Sequence, residues 1–160
     1  MSEQAASAQE LPSEIPCLLI PTNKRPLLVP NASVTEIVPL MQPIKNPDTP
    51  PWHMGTYLWR DQRLPVVSFE ALNEGGNPVV TRTSRVAIIN ALSGVLKNPY
   101  FALVIQGIPR LVRVFPDEIT QEDEQCGPAE MMHVLVAGER AVMPDVEYIE
   151  RKLVPWAKGR

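Results

Sequence analysis

A chain of 160 residues with 15 Lys+Arg against 18 Asp+Glu, 44% hydrophobic and 21% charged, has the ordinary globular mix and lies far from the low-hydrophobicity, high-charge signature of disorder. Its net charge of −3 leaves no basic field to hold a polyanion, which sets nucleic acid aside as a partner. No apolar run approaches the roughly 18 residues needed to span a bilayer, which sets membrane insertion aside as well. The 18 prolines are about twice the usual share of roughly 5%. Because proline lacks the N–H that helix interiors and central strands need, they favour short strands, edges and turns.

Residues 1–14 are polar, alanine-rich and aperiodic, and read as a disordered tail. Residues 1–12 contain Glu3 and Glu10 and no apolar core, so they make no secretory signal, and a cytoplasmic location is expected. The apolar runs 17–20 and 27–29 flank a polar tip, Thr22 to Arg25, and predict a β-hairpin. Ser33-Val34-Thr35-Glu36 has the spacing of a capping box and predicts one or two helical turns, ended by Pro39. Pro39, Pro43, Pro47, Pro50 and Pro51 mark an extended connection.

Strands are predicted over 56–60 and 64–68, joined by the polar turn Asp61-Gln62-Arg63, and one helical turn over 69–73. Glu74-Gly75-Gly76-Asn77-Pro78 breaks the chain. Further strands are predicted over 85–90, 101–106, 110–114, 133–136 and 140–143, with hairpins at Gln106-Gly107-Ile108-Pro109 and Ala137-Gly138-Glu139. The acidic stretch from Asp117 to Glu130 has the composition of a solvated loop. Val146, Ile149 and Leu153 recur at helical spacing and predict a closing helix over 145–153. About nine short strands and a terminal helix amount to a mainly β protein of barrel type.

Candidate chemistry is sparse. Cys17 and Cys126 lie far apart in sequence, with no CxxC motif, and read as two buried free thiols. The two histidines, His53 and His133, start no zinc motif, since such a site takes about four Cys, His, Asp or Glu ligands; no metal and no cofactor is expected. A nucleophilic pair from Cys17 with His53, or Cys126 with His133, stays open, because such partners meet in space rather than in sequence. There is no GxSxG elbow, no phosphate loop and no GxGxxG. With three Trp, three Tyr and three Phe, the chain also lacks the aromatics of a single-strand nucleic-acid platform. What remains is a binding protein: Tyr57, Trp59 and Arg60 are of the types that dominate hot spots, although Trp59 fits a core position equally well.

Pro50-Pro51-Trp52, Gly55, the strand through Trp59-Arg60 and Leu64-Pro65-Val66-Val67-Ser68-Phe69 resemble the most recognisable segment of CheW-like chemotaxis coupling domains. Residues 17–29 resemble that family's opening hairpin, Val34-Thr35-Glu36-Ile37 its short turn, and 133–153 its last hairpin and helix. Departures are Leu58, Asp61 and Ser68, where asparagine, glycine and aspartate are usual. Trp59-Arg60 together with Ile108-Pro109-Arg110-Leu111 looks closer to accessory ChpC-type members of pilus-associated chemosensory systems. The resemblance implies two intertwined five-stranded β-barrels with a short C-terminal helix, over a domain at 15–154 between tails at 1–14 and 155–160. It further implies a non-catalytic adaptor joining the cytoplasmic tip of a methyl-accepting chemoreceptor to the regulatory domain of a CheA-like histidine kinase. By motif position, Val34, Glu36, Ile37 and Arg60 form its receptor-side surface. The competing readings are a small β-barrel enzyme using Cys/His chemistry and a β-barrel module for an unrelated partner.

Overall fold

The computed structural model describes residues 13–45 and 48–156. The tail expected at 1–14 therefore lies outside the described residues apart from 13 and 14, as does all but 155 and 156 of the tail expected at 155–160. The chain is mainly β. Its strands are β1 (Ile15–Ile20), β2 (Leu27–Pro30), β3 (Val34–Pro39), β4 (His53–Trp59), β5 (Gln62–Ser68), β6 (Arg85–Asn90), β7 (Tyr100–Ile105), β8 (Arg110–Val114), β9 (Ile119–Glu122), β10 (Glu130–Val136) and β11 (Glu139–Pro144). Two helices complete it, α1 (Phe69–Glu74) and α2 (Val146–Leu153).

The strands form two sheets. One has six strands in the order β8-β1-β2-β11-β10-β9, the other five in the order β3-β6-β7-β5-β4. Each sheet closes over a core of its own. Val38, Tyr57, Trp59, Leu64, Val66, Val86, Ile88, Ala102 and Val104 form one cluster to which all five strands of the smaller sheet contribute and the other sheet does not. A sheet that covers its own apolar face curls over it, here with β3 and β4 left as its edges. The six-stranded sheet does the same with Cys17, Leu19, Leu28, Val114, Val134, Val136 and Ala141.

A third, larger core lies between the two sheets. Ile20, Leu27, Val29 and Val142 meet Val67, Ala87, Ile89, Phe101, Leu103 and Ile105 there, along with Phe69 and Leu72 of α1 and Ile149 and Leu153 of α2. Alternate residues of β6 and β7 serve the private and the shared core, so these strands are buried on both faces. That explains their unbroken apolar runs, Val86 to Ile89 and Phe101 to Ile105. Both helices are capped as their sequences suggest: Ser68 Oγ accepts from Ala71 N at 3.1 Å, and the Asp145 carboxylate accepts from Tyr148 N at 3.0 Å.

Three expectations are corrected. Residues 34–37 are strand, not helix; only Asn31–Ser33 make a 3-10 turn before β3. Val34, Thr35, Ile37 and Val38 are β-branched and pair with β6, and that cross-strand packing outweighs an isolated capping signal. Residues 106–109 do not close a hairpin, because both edges of β7 are occupied by β5 and β6 and the chain crosses to pair β8 with β1. The acidic stretch is not wholly loop: Ile119–Glu122 pairs with β10.

Candidate functional site

Glu36 sits in β3, an edge strand, just past a bulge between Val34 and Glu36. The bulge turns Val34 towards the shared core, against which Ile37 also packs, while Glu36 faces outward beside the end of β4. There Trp59 pairs with Gln62 across a two-residue turn made by Arg60 and Asp61. Both turn residues have positive φ, 49° and 62°, the signature of a type I′ hairpin. This is one residue tighter than the turn read from the sequence.

Glu36 ties the turn to the sheet. Its Oε1 accepts from Trp59 Nε1 at 2.9 Å and from Arg60 Nη2 at 3.1 Å, and the Arg60 guanidinium carbon lies 4.6 Å from the centre of the Trp59 ring. Trp59 itself is 5% exposed and meets the Tyr100 ring edge-on at 5.0 Å. Tyr57 is likewise buried, its hydroxyl donating to the Pro39 carbonyl at 2.8 Å. Burial and the neighbouring Glu36 charge both push the Tyr57 phenol above its usual pKa. Of the aromatic and basic side chains singled out on this strand, then, the aromatics are core and only the arginine faces water. Period two accounts for it, since Tyr57 and Trp59 share the inward face and Leu58 between them is exposed.

The structure thus brings Glu36 and Arg60 into contact, with side chains 40% and 64% exposed. It sets Val34 and Ile37 on the same strand but half-buried against the shared core. Arg60 pairs with Glu36 rather than with Asp61 or an acid of the 118–130 stretch. The bulge within β4 between His53 and Gly55 is explained by Gly55, whose φ is 121° and where a Cβ would lie 2.5 Å from the Ile44 carbonyl oxygen. Ile44 crosses β4 there, exchanging backbone hydrogen bonds with Thr56.

The Cys/His readings meet two environments. Cys17 lies in the core of the six-stranded sheet, its thiol pushed up by burial, while His53 lies on β4 of the other sheet, so this pair is not assembled. Burial lowers the His53 pKa, and its Nδ1 accepts from Gly55 N at 3.2 Å, which keeps the ring neutral. Cys126 is exposed, not buried as expected, and its sulfur lies with Glu130 and His133 in a group whose ligand atoms fall within 4.8 Å of one another.

That group is already engaged. His133 Nδ1 is 2.9 Å from Arg25 Nη1 and Nε2 is 2.9 Å from Glu130 Oε1. Arginine can only donate, so Nδ1 is the acceptor and Nε2 carries the proton given to Glu130. Neither nitrogen is left to take a proton from Cys126 or to hold a metal. The second carboxylate oxygen of Glu130 accepts from Asn73 at 2.8 Å, and Arg25 also forks onto both oxygens of Glu124 at 3.0 and 3.1 Å. Arg25 thereby holds the Glu124 carboxyl below the usual carboxylate range. The arrangement is a cross-link between the β1–β2 loop, α1, the acidic stretch and β10. Sequence reading missed it, since its members are strewn from position 25 to 133 with no motif.

No curated protein sequence matches the chain. Among solved structures, the chain is similar to the scaffolding protein TtCheW from Thermoanaerobacter tengcongensis. The TM-score is 0.70 at 14% sequence identity, over 85% of this chain and 87% of that one, a likeness of fold. The family model described as CheW-like domain matches residues 16–152, nearly the whole of both sheets and the closing helix, and the chain belongs to that family.

Proposed function

We propose that this chain is a non-catalytic cytoplasmic adaptor that holds the tip of a methyl-accepting chemoreceptor to the regulatory domain of a CheA-like histidine kinase, with Val34, Glu36, Ile37 and Arg60 on the receptor side. The accessory, ChpC-type role in a pilus-associated system is the finer form of this reading and rests on the sequence resemblance at Trp59-Arg60 and residues 108–114. The observation that supports the surface most is the Glu36–Arg60 pair, presented to solvent on a tight turn whose base is pinned by the buried Trp59. A preorganised guanidinium next to exposed Leu58 offers a partner directed hydrogen bonds and an apolar contact without a large ordering cost. Among the described residues no helix is long and apolar enough to cross a membrane.

The magnitudes separate the two roles Arg60 could have. An exposed ion pair contributes about 0–1 kcal/mol to folding, whereas a hot-spot arginine contributes about 2 kcal/mol or more to binding. Arg60→Ala is therefore expected to leave the melting temperature nearly unchanged and to weaken capture of a receptor cytoplasmic fragment by about 10- to 100-fold in calorimetry. A large loss of melting temperature with unaltered affinity would remove Arg60 from the surface. Failure of the wild-type chain to enrich receptors and a CheA-like kinase from cytoplasm would remove the adaptor reading itself.

A further inference from the structure

A cavity of about 570 Å³ shares none of its lining residues with the Glu36–Arg60 pair. It opens between the start of β5 and the 96–100 segment, with Trp156 on its wall. That volume is in the range of sites that take small organic molecules, roughly 300–1,000 Å³. Among the described residues its lining contains Arg63 and Lys97 and no Asp or Glu. Arg25, Arg60, Arg110, Arg140 and Arg151 each meet a carboxylate, whereas Arg63 and Lys97, like Arg82, Arg85 and Arg113, have no acid partner among the described residues; of these unpaired cations, Arg63 and Lys97 are the two that line this cavity. Cations left unneutralised in a concave site focus a positive potential there.

The remainder of the wall adds flat apolar surface and a spare polar group. Tyr100, Pro99 and Trp156 line the cavity, and Trp156 is 37% exposed, so its indole is open to a partner. The Asn98 carboxamide, also on the wall, has its Oδ1 buried with no hydrogen-bond partner, an acceptor suited to an N–H of a bound ring and not to its anionic group. Apolar walls with a few convergent polar groups are what a small-ligand site requires, and an aromatic face prefers a planar partner. We propose that this cavity binds a small organic anion, a carboxylate or phosphate carried on a flat ring. Arg63 and Lys97 hold the anionic group and Trp156 and Tyr100 hold the ring.

The test is a titration of the full chain, followed through the Trp156 indole N–H resonance, which Trp156→Phe identifies by its disappearance. Adenosine monophosphate and indole-3-carboxylate present the two anion sources on a ring. Adenosine lacks the anion and inorganic phosphate lacks the ring. Saturable shifts are expected with one or both ring anions, and which one binds identifies the source; adenosine and inorganic phosphate should bind at least about tenfold more weakly. Arg63→Ala and Lys97→Ala should each weaken binding by about tenfold, the loss of one charge-assisted hydrogen bond, with the melting temperature unchanged because both side chains are exposed. Arg60→Ala should leave this binding intact, so that the adaptor reading and this one fail independently. Absence of a saturable shift with both ring anions, equal binding of inorganic phosphate, or undiminished affinity in the Arg63→Ala/Lys97→Ala double variant overturns the proposal.

Discussion

At the scale of single residues, the β4–β5 turn shows how a departure from a family pattern is accommodated. Glycine is usual where Asp61 stands, and the φ of 62° at that residue gives the reason, since glycine enters the left-handed region without a Cβ penalty. Aspartate is one of the few other residues that visits this region routinely. Asp61→Gly is thus expected to hold or raise stability by up to about 1 kcal/mol. Asp61→Val, β-branched and locally unable to hydrogen-bond, should lower it by about 1–2 kcal/mol. Thermal denaturation of the two variants should give melting-temperature shifts of opposite sign, or none and a fall. Equal falls would show that the carboxylate, and not the backbone, is what the turn needs. Motif position singles out Glu36 and Arg60 as candidates, but that they touch, and that Trp59 lies beneath them, depends on the β3 bulge and on β4 ending beside it.

Among the elements, α2 does more than cover the shared core. Its Glu150 is fully buried and accepts from Leu92 N at 2.9 Å, from Ser93 N at 3.0 Å and from the Ser93 hydroxyl. The carboxylate thus replaces water for the backbone of the segment that follows β6. Removing it leaves two N–H groups and a hydroxyl without partners, each costing about 1–3 kcal/mol where water cannot reach. Glu150→Ala is expected to destabilise the fold by about 3 kcal/mol. Glu150→Gln, which keeps one acceptor oxygen, should cost about half as much, both measured by denaturant unfolding. A loss below about 0.5 kcal/mol for the alanine variant would mean that water reaches these groups and that α2 is held by Ile149 and Leu153 alone. The helical spacing of Val146, Ile149 and Leu153 predicted the helix. Nothing in that spacing distinguished Glu150 from a solvent-facing acid, because an amphipathic pattern assigns a charged residue to water unless a distant loop supplies donors.

For the molecule as a whole, the polar cross-link of Arg25, Glu124, Glu130, His133 and Asn73 joins parts of the six-stranded sheet to α1, which follows the last strand of the hairpin bearing Arg60. Both His133 nitrogens are hydrogen-bonded within it, to Arg25 and Glu130, and the Cys126, Glu130 and His133 group supplies three ligands where structural zinc takes about four. Chelators are expected to leave the melting temperature unchanged, where structural zinc would contribute folding energy outright. A fall of several degrees on chelation, reversed by zinc, would show that the histidine exchanges Arg25 for a metal. The sequence by itself determined the mainly β class, most strand positions, both helices and the family likeness. These rest on local signals: side-chain period, proline and glycine punctuation, and caps that act within a few residues. Only the tertiary structure decided that residues 34–37 are strand, that β7 and β8 part into different sheets, that Cys126 lies beside His133, and that Arg63 and Lys97 line one cavity. Each of those depends on which strand edge is already occupied, or on which side chains meet across sheets, and neither is encoded in the spacing of neighbours along the chain.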